Sequence, residues 1–258
     1  MRLEIRELSF SYNSRDVLKK VNFEVNSGEI VSILGPNGSG KTTLLKCINR
    51  MLKPDGNIFI DGKNVNDIKQ KDLARLFGYV PQRALNVLPC SIFDAVMIGR
   101  RPYIGWGSGK RDKEVVFKVL KLMGMEDMAL RPFDGISGGE MQKVLIAKAL
   151  AQEPKILLMD EPTSNLDLRH QLDVLRIIGE IVEEKNVSAL IAMHDLNLAS
   201  RFSDRIVLLK KGEVYDDGDP RSVITQESIR SVYGVEAIVE EDNDNNGKKP
   251  HVIPLRAI

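Results

Sequence analysis

Two cysteines in 258 residues, Cys47 and Cys90, are too few and too far apart for a disulfide framework or a cysteine metal cluster. Both are expected to be buried free thiols in a reducing compartment. No run approaches 18 apolar residues, so no bilayer-spanning helix is expected, and any membrane role must pass through a partner. Excess charge of one sign is missing as well. The net charge is +1, which removes the bulk electrostatic reason to expect nucleic acid as a partner. Internal repeats and low-complexity segments are absent. The opening "MRLEIRELSF" alternates and carries charge, so it reads as a strand and not as a signal peptide. What remains is a chain 43% hydrophobic and 28% charged, suited to one globular unit or one large domain with a lobe.

Along the chain, "LEIRELSFSY" and "VLKKVNFEV" read as strands. The more continuously apolar "EIVSILG" reads as a buried strand, "KTTLLKCINRML" as a helix and "GNIFIDG" as another strand. After "LFGYVPQ" the texture changes. Residues 83–153 carry helical patterns in "SIFDAVMIGR", "RDKEVVFKVLKLMGM" and "GEMQKVLIAKALAQE", with no confident strand. Then come "KILLMD", the helix "LRHQLDVLRIIGEIVEEK" and the apolar strand "SALIAMH". This alternation predicts an α/β fold with a buried, largely parallel sheet, into which the helical block is inserted. The end, "VEAIVEEDNDNNGKKPHVIPL", predicts a hairpin around Asn246-Gly247.

Residues 35–42, "GPNGSGKT", fit G-x-x-x-x-G-K-[ST] between a predicted strand and a predicted helix, the context that makes a P-loop. Its glycines let backbone wrap a β-phosphate, Lys41 brings a point charge to the β- and γ-phosphates, and the Thr42 hydroxyl can ligate Mg²⁺. Residues 156–162, "ILLMDEP", form a strand that ends in two carboxylates. Asp160 can hold Mg²⁺, directly or through water, and Glu161 can orient and deprotonate a water. A second acidic residue beside the first suggests hydrolysis of the nucleotide. No [NT]-K-x-D guanine reader occurs, so the base is expected to be adenine, and Tyr12 could stack on it or serve only in packing. Alone, His194 at a strand end and Gln82 after Tyr79-Val80-Pro81 would be unremarkable. One feature is surplus: "ISGGEMQKV", residues 136–144, places two adjacent glycines before a helix, a second potential phosphate cradle in one chain.

In their order, Tyr12, the loop 35–42, Gln82, "ISGGE", "LLMDEP", "SNLD" and His194 resemble the ATPase subunit of an ATP-binding cassette (ABC) transporter over roughly residues 2–240. The resemblance implies a P-loop NTPase core with a mostly parallel sheet, an antiparallel β subdomain and an inserted helical subdomain at about 83–153. It makes 1–240 the nucleotide-binding domain and 241–258 a hairpin extension. It implies ATP and Mg²⁺ as ligands, with Gly35, Pro36, Asn37, Gly38, Ser39, Gly40, Lys41, Thr42 and Thr43 around the phosphates and Tyr12 on the adenine. Gln82 would reach Mg²⁺ and the attacking water and touch the transmembrane partner, while Glu161 would be the base and His194 would contact the γ-phosphate. The second cradle is then explained by a head-to-tail homodimer. Ser137, Gly138 and Gly139 of one subunit would close on the γ-phosphate held by the P-loop of the other, and Asp167 would lie in a loop crossing the interface. The chain departs from the commonest signature at Ile136, Glu140 and Lys143, and carries Asn165 where Ala is common. An acidic Glu140 near phosphate is expected to weigh on the turnover rate.

"VMIGRRPYIGW", residues 96–106, resembles the GR-x-P-[HY] segment of ATPases in iron–siderophore, haem and vitamin B12 importers, as does the C-terminal "VYGVEA…PHVIPL". The resemblance thus implies a peripheral protein at the cytoplasmic face of the cell membrane. It would be docked on permease subunits and served indirectly by a substrate-binding protein. Molybdate or tungstate importers share the pattern. A soluble cassette ATPase that drives assembly of another machine is an alternative, and a non-hydrolysing nucleotide-gated module is a second. Two look-alikes are set aside. "DNDNNG" at 242–247 matches half a calcium loop, but Ile253 replaces the twelfth-position Glu and Pro250 interrupts it, so it reads as a polar hairpin loop. "NVS" at 186–188 matches a glycosylation acceptor that a cytosolic chain would not expose to that enzyme.

Overall fold

The apolar positions of the first strand shift phase, from Leu3 and Ile5 to Leu8, and all three are buried. A two-residue period cannot do that without an irregularity. The computed structural model places one there: Glu7 has a positive φ of 52°, and the pairing register shifts between Ile5 and Leu8. Residues 1–82, 89–105, 107–164, 166–244 and 247–258 are described by the structure. Trp106, Asn165, Asn246 and the start of the expected helical block at 83 therefore lie outside the described residues.

In chain order the elements are β1 (Leu3–Tyr12), β2 (Arg15–Val25), β3 (Ile30–Leu34), α1 (Lys41–Ile48), β4 (Asp55–Ile60), β5 (Lys63–Asn64), α2 (Gln70–Leu76) and β6 (Phe77–Val80). There follow α3 (Ile92–Met97), α4 (Lys110–Leu122), α5 (Gly138–Leu150), β7 (Ile156–Asp160), α6 (Leu168–Lys185) and β8 (Ser188–Ala192). The chain ends with α7 (Leu196–Phe202), β9 (Arg205–Lys210), β10 (Glu213–Gly218), α8 (Pro220–Val223), α9 (Gln226–Tyr233), β11 (Val235–Asp244) and β12 (Gly247–Ala257). The strands and helices expected from periodicity are present. Helices α2, α7, α8 and α9 and strands β9 and β10 were not resolved by pattern, because several are too short to complete an amphipathic repeat.

The chain divides into two units, Met1–Asp67 with Ser188–Ile258, and Ile68–Val187. In the first, β1, β2, β4 and β5 form an antiparallel sheet. Beside it in sequence, β3 pairs in parallel with both β8 and β9, and β10 closes on β9 antiparallel. The buried Val31, Ile33, Leu34, Ala189, Leu190, Ile206 and Val207 give these strands the unbroken apolar character of a sheet covered on both faces. The terminal hairpin β11–β12 is held on α7, where Asn197 and Val252 exchange two hydrogen bonds of 2.7 and 3.1 Å and Ser200 donates to the Pro250 carbonyl at 2.7 Å. Its ladder runs through Asp242↔Lys249 to Asp244↔Gly247, so the calcium-loop look-alike is mostly strand and not loop.

In the second unit β6 and β7 pair in parallel, and α3, α4 and α5, which pack on one another, all lie in the connection between those two strands. Among the described residues, no helix is long and apolar enough to cross a membrane.

Candidate functional site

Parallel strands gather chemistry at their C-terminal ends, where backbone leaves the sheet and side chains become free to meet a ligand. In the first unit the register Ile33↔Ala192 brings the exits of β3 and β8 side by side. Residues 35–42 follow β3, and His194 follows β8, exposed, with Asp195 capping α7 behind it through the amides of Asn197 and Leu198. Gly35 holds φ 146°, and a Cβ there would stand 2.4 Å from the Leu209 carbonyl oxygen and 2.6 Å from Ser39 Oγ. No side chain fits, so the loop can only be closed by glycine. Asn37 and Gly38 are exposed, Pro36 and Thr42 are half-buried, and Ser39, Gly40, Lys41 and Thr43 are buried. Lys41 Nζ folds back onto the loop, donating to the Gly35 carbonyl at 2.7 Å and the Pro36 carbonyl at 3.3 Å. Among the described residues, Ser39 Oγ is buried with no hydrogen-bond partner. Tyr12, at the end of β1, is 46% exposed, with its ring edge-on to Phe10 at 4.9 Å.

In the second unit the register Val80↔Met159 does the same for β6 and β7. Asp160 ends β7 and is buried. Burial, reinforced by the Asp160 charge, pushes the Tyr79 phenol up to about 12. Glu161 has a positive φ of 52°, which turns the chain as it leaves the strand, and its Oε2 accepts a 2.5 Å hydrogen bond from Gln82 Nε2. The amide and carboxylate predicted from separate motifs are thus brought together.

The second glycine pair opens α5. Ser137 is its N-cap and forms a reciprocal box with Glu140: Oγ accepts from the Glu140 amide, while the Ser137 amide and hydroxyl donate to Glu140 Oε2 at 2.8 and 2.7 Å. The Ser137 hydroxyl, then its amide, hold the Glu140 carboxyl below its ordinary range. The unusual acid thus has a structural job at the helix start, complementary to the helix dipole. Gly138 looks onto open space, and Gly139 is buried. Asp167 caps α6, and its carboxyl is lowered by the His170 amide and then by the His170 ring.

The segment that suggested importers has a packing role as well. Arg100 is buried and donates to Asp112 at 3.0 Å, the Ala151 carbonyl at 2.7 Å and Glu153 at 2.7 Å. Its guanidinium carbon lies 4.0 Å from the Tyr103 ring centre, and Tyr103 donates to the Gln152 carbonyl at 2.9 Å. Pattern reading missed these partners and also His170, because they lie off the recognised motifs; the N-cap signal of Asp167 three residues ahead is the one clue to His170.

Among the described residues of this unit three carboxyls are lowered: Glu140, Asp167, and Asp112, the last chiefly by the Gly109 amide. Depressed folded-state values contribute stability that is present above the ordinary carboxylate range and lost as pH falls through and below it. The urea midpoint is therefore expected to hold from neutral pH to the top of that range and then drop. A midpoint indifferent to acid would contradict these capping assignments.

A family model described as "ABC transporter" matches residues 18–164, more than half of the chain. An uncharacterized ABC transporter ATP-binding protein of Methanocaldococcus jannaschii is 50% identical over 99% of this chain and 98% of its own. The petrobactin import ATP-binding protein FpuC of Bacillus anthracis is 34% identical over 98% of this chain and 93% of its own. Among solved structures, a metal-chelate type ABC transporter in an inward-facing conformation matches with a TM-score of 0.86 at 28% identity, covering 98% of this chain and 97% of its own.

Proposed function

This chain belongs to the ABC transporter family of ATPases, and on that premise we propose that it is the ATP-hydrolysing subunit of an importer that takes up a metal chelate of iron–siderophore, haem or cobalamin type through a separate permease. The observation that carries the nucleotide half is the loop at 35–42. Its glycine-only closure, the charge of Lys41 turned onto the loop carbonyls and the orphaned Ser39 hydroxyl are a cradle built for a polyanion. The importer half is supported by the likeness to a petrobactin importer ATPase and a metal-chelate transporter over 98% of the chain, the terminal hairpin included.

Among the described residues no three His, Cys, Asp or Glu cluster to hold a metal alone. In this reading Thr42, Asp160 and Gln82 would each offer a hard oxygen donor to Mg²⁺, an ion that usually shares its coordination with substrate phosphates and water. Bound Mg²⁺ supplies charge neutralisation on the phosphates. The protein's own residues do the rest in this reading. Lys41 and the backbone N–H groups of Gly35, Asn37, Gly38, Ser39, Gly40, Thr42 and Thr43 bind phosphate, and Pro36, which has no N–H to donate, shapes the loop. Tyr12 stacks the adenine, Gln82 orients water, Glu161 takes its proton, and His194 senses the γ-phosphate. Ser137, Gly138, Gly139 and Asp167 complete the site of a second copy in a head-to-tail homodimer. Residues 1–240 would then be the nucleotide-binding domain with a helical lobe at about 83–153, and 241–258 an extension. The protein would sit peripherally at the cytoplasmic membrane face, served by a substrate-binding protein through the permease.

A tagged copy, captured from detergent-solubilised membranes of the native host with partners identified by mass spectrometry, is expected to bring down a polytopic permease. A soluble partner alone would sink the importer reading in favour of an assembly ATPase, and a permease encoded with an oxyanion-binding protein would redirect the cargo to molybdate or tungstate.

A further inference from the structure

The two glycines at the start of α5 have different surroundings. A Cβ on Gly138 would meet nothing within 4 Å, but one on Gly139 would stand 2.8 Å from Cδ2, 3.0 Å from Cγ and 3.2 Å from Nε2 of His170. Neither glycine has a positive φ, so backbone conformation does not demand them. The space a side chain would need at 139 is filled by the His170 ring. The other edge of that ring is committed too: Nδ1 lies 2.8 Å from Asp167 Oδ1, and the same oxygen takes the His170 amide at 2.9 Å. An ionised carboxylate only accepts, so the proton of this pair sits on Nδ1. Asp167 remains 68% exposed although one of its oxygens is held by two donors. One turn on, Gln171 donates to the Thr163 carbonyl at 3.3 Å, a second tie between α6 and the same loop.

We propose that His170 is a positioning residue that locks the Asp167 loop to the first turn of α5, so that both meet the partner subunit as one rigid edge. This rests on the dimer reading given above. It explains why Gly139 is glycine without reference to phosphate, and it makes the presentation of Asp167 depend on a ring outside the proposed nucleotide-binding residues.

The test uses the full chain carrying Glu161→Gln, with ATP-dependent dimerisation followed by light scattering and ATP binding followed with a fluorescent ATP analogue. Adding His170→Phe keeps a ring beneath Gly139 and removes the donor. It is expected to weaken dimerisation by about tenfold, the scale of one charge-assisted hydrogen bond, with analogue affinity of the monomer unchanged. Adding Gly139→Ala is expected to weaken dimerisation at least as much, and combining it with His170→Asn, which keeps a donor near the Nδ1 position but vacates the ring space, should restore most of the loss. Rescue of Gly139→Ala by a change at 170 cannot come from general destabilisation. Unaltered dimerisation with His170→Phe, or Gly139→Ala equally defective with either residue at 170, overturns the proposal while leaving the dimer reading intact. A Glu161→Gln chain that stays monomeric at saturating ATP overturns the dimer reading itself, and the proposal with it.

Discussion

Glu161→Gln will bind ATP, release almost no phosphate and accumulate as a dimer at saturating ATP. The exchange removes one negative charge and one proton acceptor while keeping the shape of the side chain. Gln82 Nε2 now donates to Glu161 Oε2, and an amide at 161 still offers an acceptor oxygen at that place, so the pair is not broken. The positive φ of Glu161 is a backbone property that glutamine tolerates no worse. What is lost is the proposed base. A positioned general base contributes about 10²–10⁴-fold to rate, and the phosphate-release assay should fall by that factor. On the proposed dimer, accumulation follows because the γ-phosphate would bridge the two cradles and would no longer be removed. ATP then shifts the population toward the closed pair by its stronger binding there. A variant that hydrolyses within a few-fold of the parent would remove Glu161 from the role of base.

Arg100→Ala will cost about 3–5 kcal/mol of stability, the scale for removing one partner of a buried ion pair. The Arg100 side chain is only 2% exposed, and truncation strands Asp112, itself 13% exposed, together with the Ala151 carbonyl. Glu153 is nearly half exposed and can turn to water, so it adds little. The Tyr103 ring loses its stacked guanidinium at the same time. Arg100→Lys should recover only a minor part, because one ammonium cannot reach three acceptors in fork geometry. Urea unfolding measures both. A loss below about 1 kcal/mol for alanine, the scale of a surface ion pair, would mean that the buried pair is not stabilising the helical block.

These two residues also show where sequence reading succeeds and where it stops. Lys41, Thr42, Asp160 and Glu161 are legible as candidates because the chemistry proposed for them is local: a loop or strand end needs those residue types at fixed spacing, and flanking periodicity supplies the context. The same locality made β1, β3, β7, α6 and the terminal hairpin readable. Gln82 and His194 are candidates only through resemblance, since a polar residue after a strand has many uses. The Gln82–Glu161 contact spans 79 positions and required the parallel pairing of β6 with β7. Arg100 reads as part of an importer-like segment, yet its partners at 112, 151 and 153 make it first a packing residue, which no pattern within residues 96–106 could disclose. His170 was hidden for the same reason: its meaning lies in a glycine on a different helix. Glu140, noted as a departure, proved to be the reciprocal cap of Ser137, a local relation that the S-x-x-E spacing itself expresses.

If each ATP site draws one cradle from each of two copies, mixing two inactive chains will restore activity. Lys41→Ala disables the first cradle and Ser137→Phe the second. Each alone should release no phosphate. In a mixed dimer one site combines both lesions and the other has none, so random pairing should return about a quarter of the parental rate, given twofold symmetric assembly. If the mixture stays as inactive as its components, the two cradles do not serve one another across subunits.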